Sequence, residues 1–161
     1  MMVEFAEVSE EAKLWVFPSS RKFYPQEIAD LKESLENFLV DWGKSQEILK
    51  TSYDLRYNRF ILIVVDPVES SLSLATHDAL ISFIQQLEST YDVILLDKIN
   101  VCYKQGEFVQ YKDLVAFKKL IKSRAVSSKT IVFDNMIQIK KDLENDWKIN
   151  IIDSWLGRFF K

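Results

Sequence analysis

The stretch Phe60-Ile-Leu-Ile-Val-Val65 is the longest continuous apolar run in the chain. An unbroken run of this kind indicates a central strand that is covered on both faces, and Asp66 ends it. The preceding stretch, Ser52–Tyr57, alternates apolar and polar side chains, as a half-buried strand does. Asn58 and Arg59 lie between the two and favour a tight turn. The sequence therefore predicts a hairpin whose second strand lies inside a sheet.

Further elements follow on both sides of this hairpin. A short β-type run, Lys13–Phe17, precedes a helical apolar pattern that starts at Pro25 and is expected to end at Gly43. A second helix is predicted over Thr76–Leu87 and a fourth strand over Asp92–Leu96. The resulting β-α-β-β-α-β order is that of a ferredoxin-like α+β fold. A different α+β sandwich built from the same elements is the alternative.

The remainder of the chain predicts a C-terminal extension of hairpin, helix and strand. Gln105-Gly106 separates two strand-like runs, a helix follows around Leu114–Ile121, and a strand follows at Thr130–Phe133. We interpret residues 1–161 as a single α+β domain, with a core of about 12–98 and an extension of about 99–161. A chain of 161 residues buries roughly 70% of its unfolded surface, which is enough for a core without disulfides.

Composition argues against several classes of protein. The 21 basic and 24 acidic side chains give a net charge of −3, so we predict no nucleic-acid partner. One cysteine, Cys102, and one histidine, His77, cannot build a zinc framework, and we predict neither a metal nor a cofactor. No apolar run is long enough for membrane insertion, and no export signal is recognisable. We therefore expect a cytoplasmic location.

One tripeptide, Gly43-Lys44-Ser45, matches the end of a phosphate-binding P-loop. The complete motif requires a glycine five residues before Gly43, where this chain has Phe38. The motif also requires a strand before it and a helix after it, the reverse of the order predicted here. ATPase activity is therefore not expected.

A candidate ligand site surrounds the predicted hairpin turn. Two guanidinium groups, of Arg56 and Arg59, could clamp a carboxylate or a phosphate, and His77 could move a proton. The alternative is a turn with solvated or salt-bridged arginines, together with a partly buried His77 that has a structural role. The candidate ligand-binding residues are Arg56, Asn58, Arg59, Asp66 and His77.

A candidate partner surface lies at the C-terminus, where aromatic residues are dense. These side chains either dock on the core or form an interface, where Trp and Tyr are favoured. The basic face of the third helix is expected to be solvated, or to face the acidic first helix of the same or a neighbouring chain. The candidate surface residues are Trp147, Trp155, Arg158 and Phe159.

Four strings together resemble a family of bacterial proteins of similar length, found mainly in Bacteroidetes and often labelled "ABC transporter ATPase". The resemblance covers nearly the whole chain but implies no catalytic residue. The label implies ATP hydrolysis, which this sequence does not support, because it has no Walker A motif and no Leu-Ser-Gly-Gly-Gln signature. The strings are Lys13-Leu-Trp-Val-Phe17, Arg56-Tyr-Asn-Arg-Phe60 leading into Val64-Val65-Asp66, Ile131-Val-Phe-Asp-Asn135, and Asp153-Ser-Trp155 with Arg158-Phe159.

Two functions follow as hypotheses. The first is a non-enzymatic cytoplasmic module that binds a protein partner or associates with itself. The second is an enzyme that binds a small molecule or anion through Arg56, Arg59, Asp66 and His77.

Overall fold

A computed structural model describes residues 2–45, 50–66 and 73–160. The described chain combines α-helices with two antiparallel sheets, one of three strands and one of four. The predicted α+β class is therefore confirmed. None of the helices within these described ranges is long and apolar enough to cross a membrane.

The first sheet consists of β1 (Lys13–Pro18), β2 (Lys50–Arg56) and β3 (Phe60–Asp66), in the order β1-β3-β2. Strand β3 pairs antiparallel with both neighbours, so it is the central strand. All side chains from Phe60 to Val65 are fully buried. The interpretation of this apolar run as a strand covered on both faces is confirmed.

Two helices, α1 (Pro25–Ser45) and α2 (Leu74–Tyr91), cover one face of this sheet. Helix α1 begins at Pro25, as predicted, because the missing N–H of proline is no loss in the first turn. The prediction that Gly43 ends the helix is wrong, since the helix continues to Ser45. The side chains in this layer include Trp15, Phe17, Leu31, Leu35, Leu39, Ile61, Ile63, Leu80 and Ile84.

The second sheet is formed by the predicted C-terminal extension and has the order β5-β4-β6-β7. Helix α3 (Leu114–Lys122) packs against it, and the short α4 (Asp142–Asn145) precedes its last strand. Gly106 adopts a φ of 63° in the turn of the predicted hairpin, a conformation that glycine adopts without strain. The strands are β4 (Val101–Gln105), β5 (Phe108–Lys112), β6 (Ile131–Phe133) and β7 (Lys148–Asn150).

The extension covers the other face of the first sheet. Leu14, Phe60 and Leu62 share a buried cluster with Phe133 and Trp147. This cluster explains the composition of β3, because its two sets of alternating side chains enter two different cores.

The fourth strand predicted over Asp92–Leu96 is not formed. The segment leaves α2 through Asp92, at a φ of 53°, and runs without a sheet ladder. The Glu88 carboxylate accepts hydrogen bonds from the backbone N–H groups of Leu95 and Leu96, at 2.7 and 3.1 Å. A side chain thus satisfies donors that a neighbouring strand would otherwise bind. The ferredoxin-like order is consequently not confirmed.

Candidate functional site

The hairpin between β2 and β3 has a strained turn. Tyr57 and Asn58 both have positive φ, of 57° and 49°, and the N–H of Arg59 donates to the carbonyl oxygen of Arg56 at 3.0 Å. Two left-handed residues are characteristic of a type I′ turn, which matches the twist of paired strands. This conformation is uncommon for a bulky residue such as Tyr57. The ring of Tyr57 makes edge contacts with Phe60 and Phe133 and a tilted contact with Trp147.

The two arginines beside this turn diverge. Arg56 forms an ion pair with Asp54, its Nε lying 3.0 Å from Oδ2. It also lines a cavity that contains Glu10, Lys140 and Glu144. The Arg56 guanidinium therefore already has a carboxylate partner, Asp54, within the chain.

Arg59 lines a different cavity of about 190 Å³, together with Lys22, Asn58 and Glu107. Its Nη1 is buried and has no hydrogen-bond partner among the described residues. Burial lowers the pKa of Arg59, while proximity to Cys102 opposes this effect. Burial raises the pKa of the Cys102 thiol to about 12, so this thiol is neutral at neutral pH and is not an activated nucleophile.

His77 and Asp66 lie apart from both arginines. His77 is exposed near the start of α2, so the expectation of a partly buried His77 is wrong. Its ring centroid is 6.5 Å from that of Trp15, and it lines a third cavity. Asp66 is the last residue of β3, and in the strand register it lies opposite Lys50 of β2. The structure therefore does not bring the predicted ligand residues together in one site.

The aromatic residues of the C-terminus divide between core and surface. Trp147 is 1% exposed, and its indole Nε1 donates to the Oδ1 of Asn135 at 3.0 Å. It belongs to the core, which corrects its assignment to a partner surface. Trp155, by contrast, is 45% exposed.

Trp155 belongs to a compact group of aromatic and basic side chains. The rings of Trp155 and Phe159 meet edge to face, with centroids 6.4 Å apart. The Arg158 guanidinium carbon lies 5.7 and 5.1 Å from these two centroids, and the Lys118 Nζ lies 4.8 Å from that of Phe159. We call Lys118, Trp155, Arg158 and Phe159 the Trp155 patch. From the sequence, Lys118 belongs to the basic face of the third helix and not to the candidate partner surface, because its position beside Phe159 depends on the packing of α3.

A closing 3₁₀ helix, Trp155–Phe160, positions this patch. Its buried residues are Leu156 and Gly157. Leu156 packs in the hydrophobic cluster of the second sheet. A Cβ at Gly157 would collide with the carbonyl oxygen of Ile152, so the close approach of these two segments requires glycine. Ser154 begins the turn by accepting a hydrogen bond from the Leu156 N–H at 3.1 Å.

Comparisons with family models, with curated proteins and with solved structures find no match to this chain. The family resemblance therefore stays a prediction. Within residues 2–45, 50–66 and 73–160, no group of three or more His, Cys, Asp and Glu side chains could hold a metal ion.

Proposed function

We propose that this chain is a non-enzymatic protein-binding module that binds an acidic segment of a partner protein through the Trp155 patch. The observation that carries the proposal is the half-exposed indole of Trp155 with Arg158 over its ring. Trp and Arg are the residues most enriched among those that dominate binding energy at protein interfaces. Here both are already ordered by contacts within the chain, which lowers the entropic cost of binding.

The charge distribution favours an acidic partner. From Ile99 onward the chain holds 12 of its 21 basic side chains but only 7 of its 24 acidic ones. Lys118 of the patch is exposed, as are Lys119 and Lys122 of the same helix. Complementary charge accelerates association and selects among partners, so glutamate and aspartate side chains are the expected contacts.

The alternative function, an enzyme built on Arg56, Arg59, Asp66 and His77, requires these side chains to share a pocket. They line separate cavities or lie at a strand end, as described above. The geometry thus favours the binding module. We place its action in the cytoplasm, where the buried free thiol of Cys102 would remain reduced.

Trp155 provides a direct readout of binding. The other three tryptophans, Trp15, Trp42 and Trp147, are at most 7% exposed, so quenching of fluorescence by acrylamide reports mainly on Trp155. The probe is a tryptophan-free peptide of alternating glutamate and leucine, compared with the same peptide carrying lysine for glutamate. We expect the acidic peptide alone to protect Trp155, and added salt to weaken the effect.

Charge reversal distinguishes the patch from general basicity. Lys118→Glu should abolish protection by the acidic peptide, whereas the matched control Lys129→Glu, at an exposed lysine outside the patch, should retain most of it. Equal losses in both variants would contradict a role for the patch. Light scattering of the chain alone tests whether a second copy is the partner, in which case Lys118→Glu dissociates an oligomer.

A further inference from the structure

A second candidate site lies where the two sheets meet, beside the edge strand β1. The N–H of Leu14 donates to the carbonyl oxygen of Gln138 at 2.9 Å, and Lys13 bridges to Ile139. These contacts join β1 to the segment that follows β6. A cavity of about 220 Å³ lies at this junction, and such junctions are common places for small-molecule sites. Its lining comprises Lys13, Leu14, Trp15, His77, Lys98, Met136, Ile137 and Gln138.

Two ammonium groups, of Lys13 and Lys98, line this cavity together with His77. Among the residues that the structure describes, no carboxylate lines it. In the described part of the chain neither lysine forms an ion pair with an acidic side chain. The two ammonium groups also act on one another, because burial first and the charge of Lys13 second lower the pKa of Lys98.

Packing determines where the two ammonium groups lie. Lys13, Trp15 and Phe17 occupy alternate positions of β1 and therefore share one face of the strand. The Lys13 Nζ lies 5.2 Å from the ring centroid of Trp15, and the Lys98 Nζ lies 5.4 Å from that of Phe17. Lys13 is itself half-buried. A lysine on an edge strand is a common defence against aggregation, but that role does not require a second, partly buried lysine beside it.

We propose that this cavity binds the phosphate group of a small phosphate monoester. Two ammonium groups match the charge of a dianion, and lysine binds phosphate as a compact point charge rather than as the planar fork that suits a carboxylate. The imidazole of His77 and the amide of Gln138 supply neutral hydrogen-bonding groups at the same cavity. Trp15 and Ile137 supply apolar surface for the organic part of the ligand.

The test is a titration of the full chain with phenyl phosphate. Binding is monitored through the imidazole NMR signals of His77. As His77 is the one histidine of the chain, these signals need no assignment. We expect a saturable change in chemical shift and a higher melting temperature. Lys98→Met should weaken binding about tenfold or more, because a charged hydrogen bond to a dianion is lost. The matched control, Lys129→Met, changes an exposed lysine outside the cavity and should leave binding unchanged.

A second lysine variant and a singly charged ligand test the roles of the two ammonium groups and of the phosphate charge. Lys13→Met should reproduce the loss seen with Lys98→Met, and both variants should unfold no earlier than the unsubstituted chain. Benzoate, which carries one charge, should bind more weakly than phenyl phosphate. The proposal is overturned if no saturable shift occurs, if benzoate binds equally well, or if both lysine variants keep full affinity. Trp155→Ala should retain phosphate binding, which separates this site from the Trp155 patch.

Discussion

The indole N–H of Trp147 donates to the side-chain oxygen of Asn135 inside the core, over 3.0 Å, and both residues are buried. The Trp147 ring also contacts those of Phe60 and Phe133, each with centroids 5.0 Å apart. Trp147 is only 1% exposed, so Asn135 is the group that satisfies its donor. The hydrogen bond allows the large, polar-edged side chain of Trp147 to be fully buried against the first sheet.

The first prediction concerns this hydrogen bond. Asn135→Ala leaves the Trp147 N–H buried without a partner, and we expect a loss of about 1–3 kcal/mol in the free energy of unfolding. Urea denaturation measures the loss. In the background of Trp147→Phe the donor is absent, so the same change at Asn135 should cost less. Equal costs in both backgrounds would show that the hydrogen bond contributes nothing.

The second prediction contrasts two tryptophans. Trp147→Ala opens a cavity between the two halves and should cost about 3–5 kcal/mol. Trp155→Ala removes a side chain that is already half exposed, so its cost should be only about 1–2 kcal/mol. Chemical denaturation of both variants checks the order. A larger cost at Trp155 would place its indole in the core and remove the basis of the proposed function.

The third prediction concerns acid stability. Arg21 forms two hydrogen bonds to the Glu27 carboxylate, at 2.9 and 3.0 Å, and this contact holds the pKa of Glu27 below its usual 4.5. A carboxylate with a lowered folded pKa stabilises the protein above its unfolded pKa. That stabilisation declines below about pH 4.5 and is lost as the pH passes through the folded pKa. We expect Glu27→Gln to lower stability at pH 7 and to flatten this acid dependence in denaturation curves. If the stability of both proteins changed with pH in the same way, the proposed contribution of the Arg21–Glu27 contact would be contradicted.

The fourth prediction concerns alkaline pH. Burial and the neighbouring Lys13 lower the pKa of Lys98 from 10.5, so at neutral pH the folded state carries an unfavourable charge. Lys98→Met should therefore raise the melting temperature at pH 7. As the pH rises from the folded pKa toward 10.5, the folded state releases its proton first and the unsubstituted protein gains stability. The difference in melting temperature between the two proteins should thus narrow across that pH range. A constant difference would exclude the charge of Lys98 as its cause.

The fourth strand shows why local pattern misled one part of the fold. Val93 and Leu95 alternate with exposed Ile94, as they would in a half-buried strand. Their burial is real, but the backbone between them is bonded to the Glu88 carboxylate and to Ser20 instead of to a strand. An alternating pattern reports which side chains are buried and carries no information about the partner of the backbone.

The positions of charged side chains depend on long-range packing in the same way. Arg56 and Arg59 are close in sequence, but they flank a hairpin turn and enter different cavities. Lys13 and Lys98 are far apart in sequence, and nothing in either neighbourhood marks them as a pair. His77 has the spacing of an apolar helix position, yet its side chain is exposed near the start of α2.

Local hydrophobic pattern thus establishes the central strand β3, the start of α1 and the hairpin at Gly106, because each depends on neighbouring residues and the backbone period they follow. Long-range packing establishes the burial of Trp147 against Asn135, the divergence of the two arginines and the meeting of Lys13 with Lys98. Those relationships join residues that are distant in the chain or separated by a turn, and their energies arise only when both sheets have assembled.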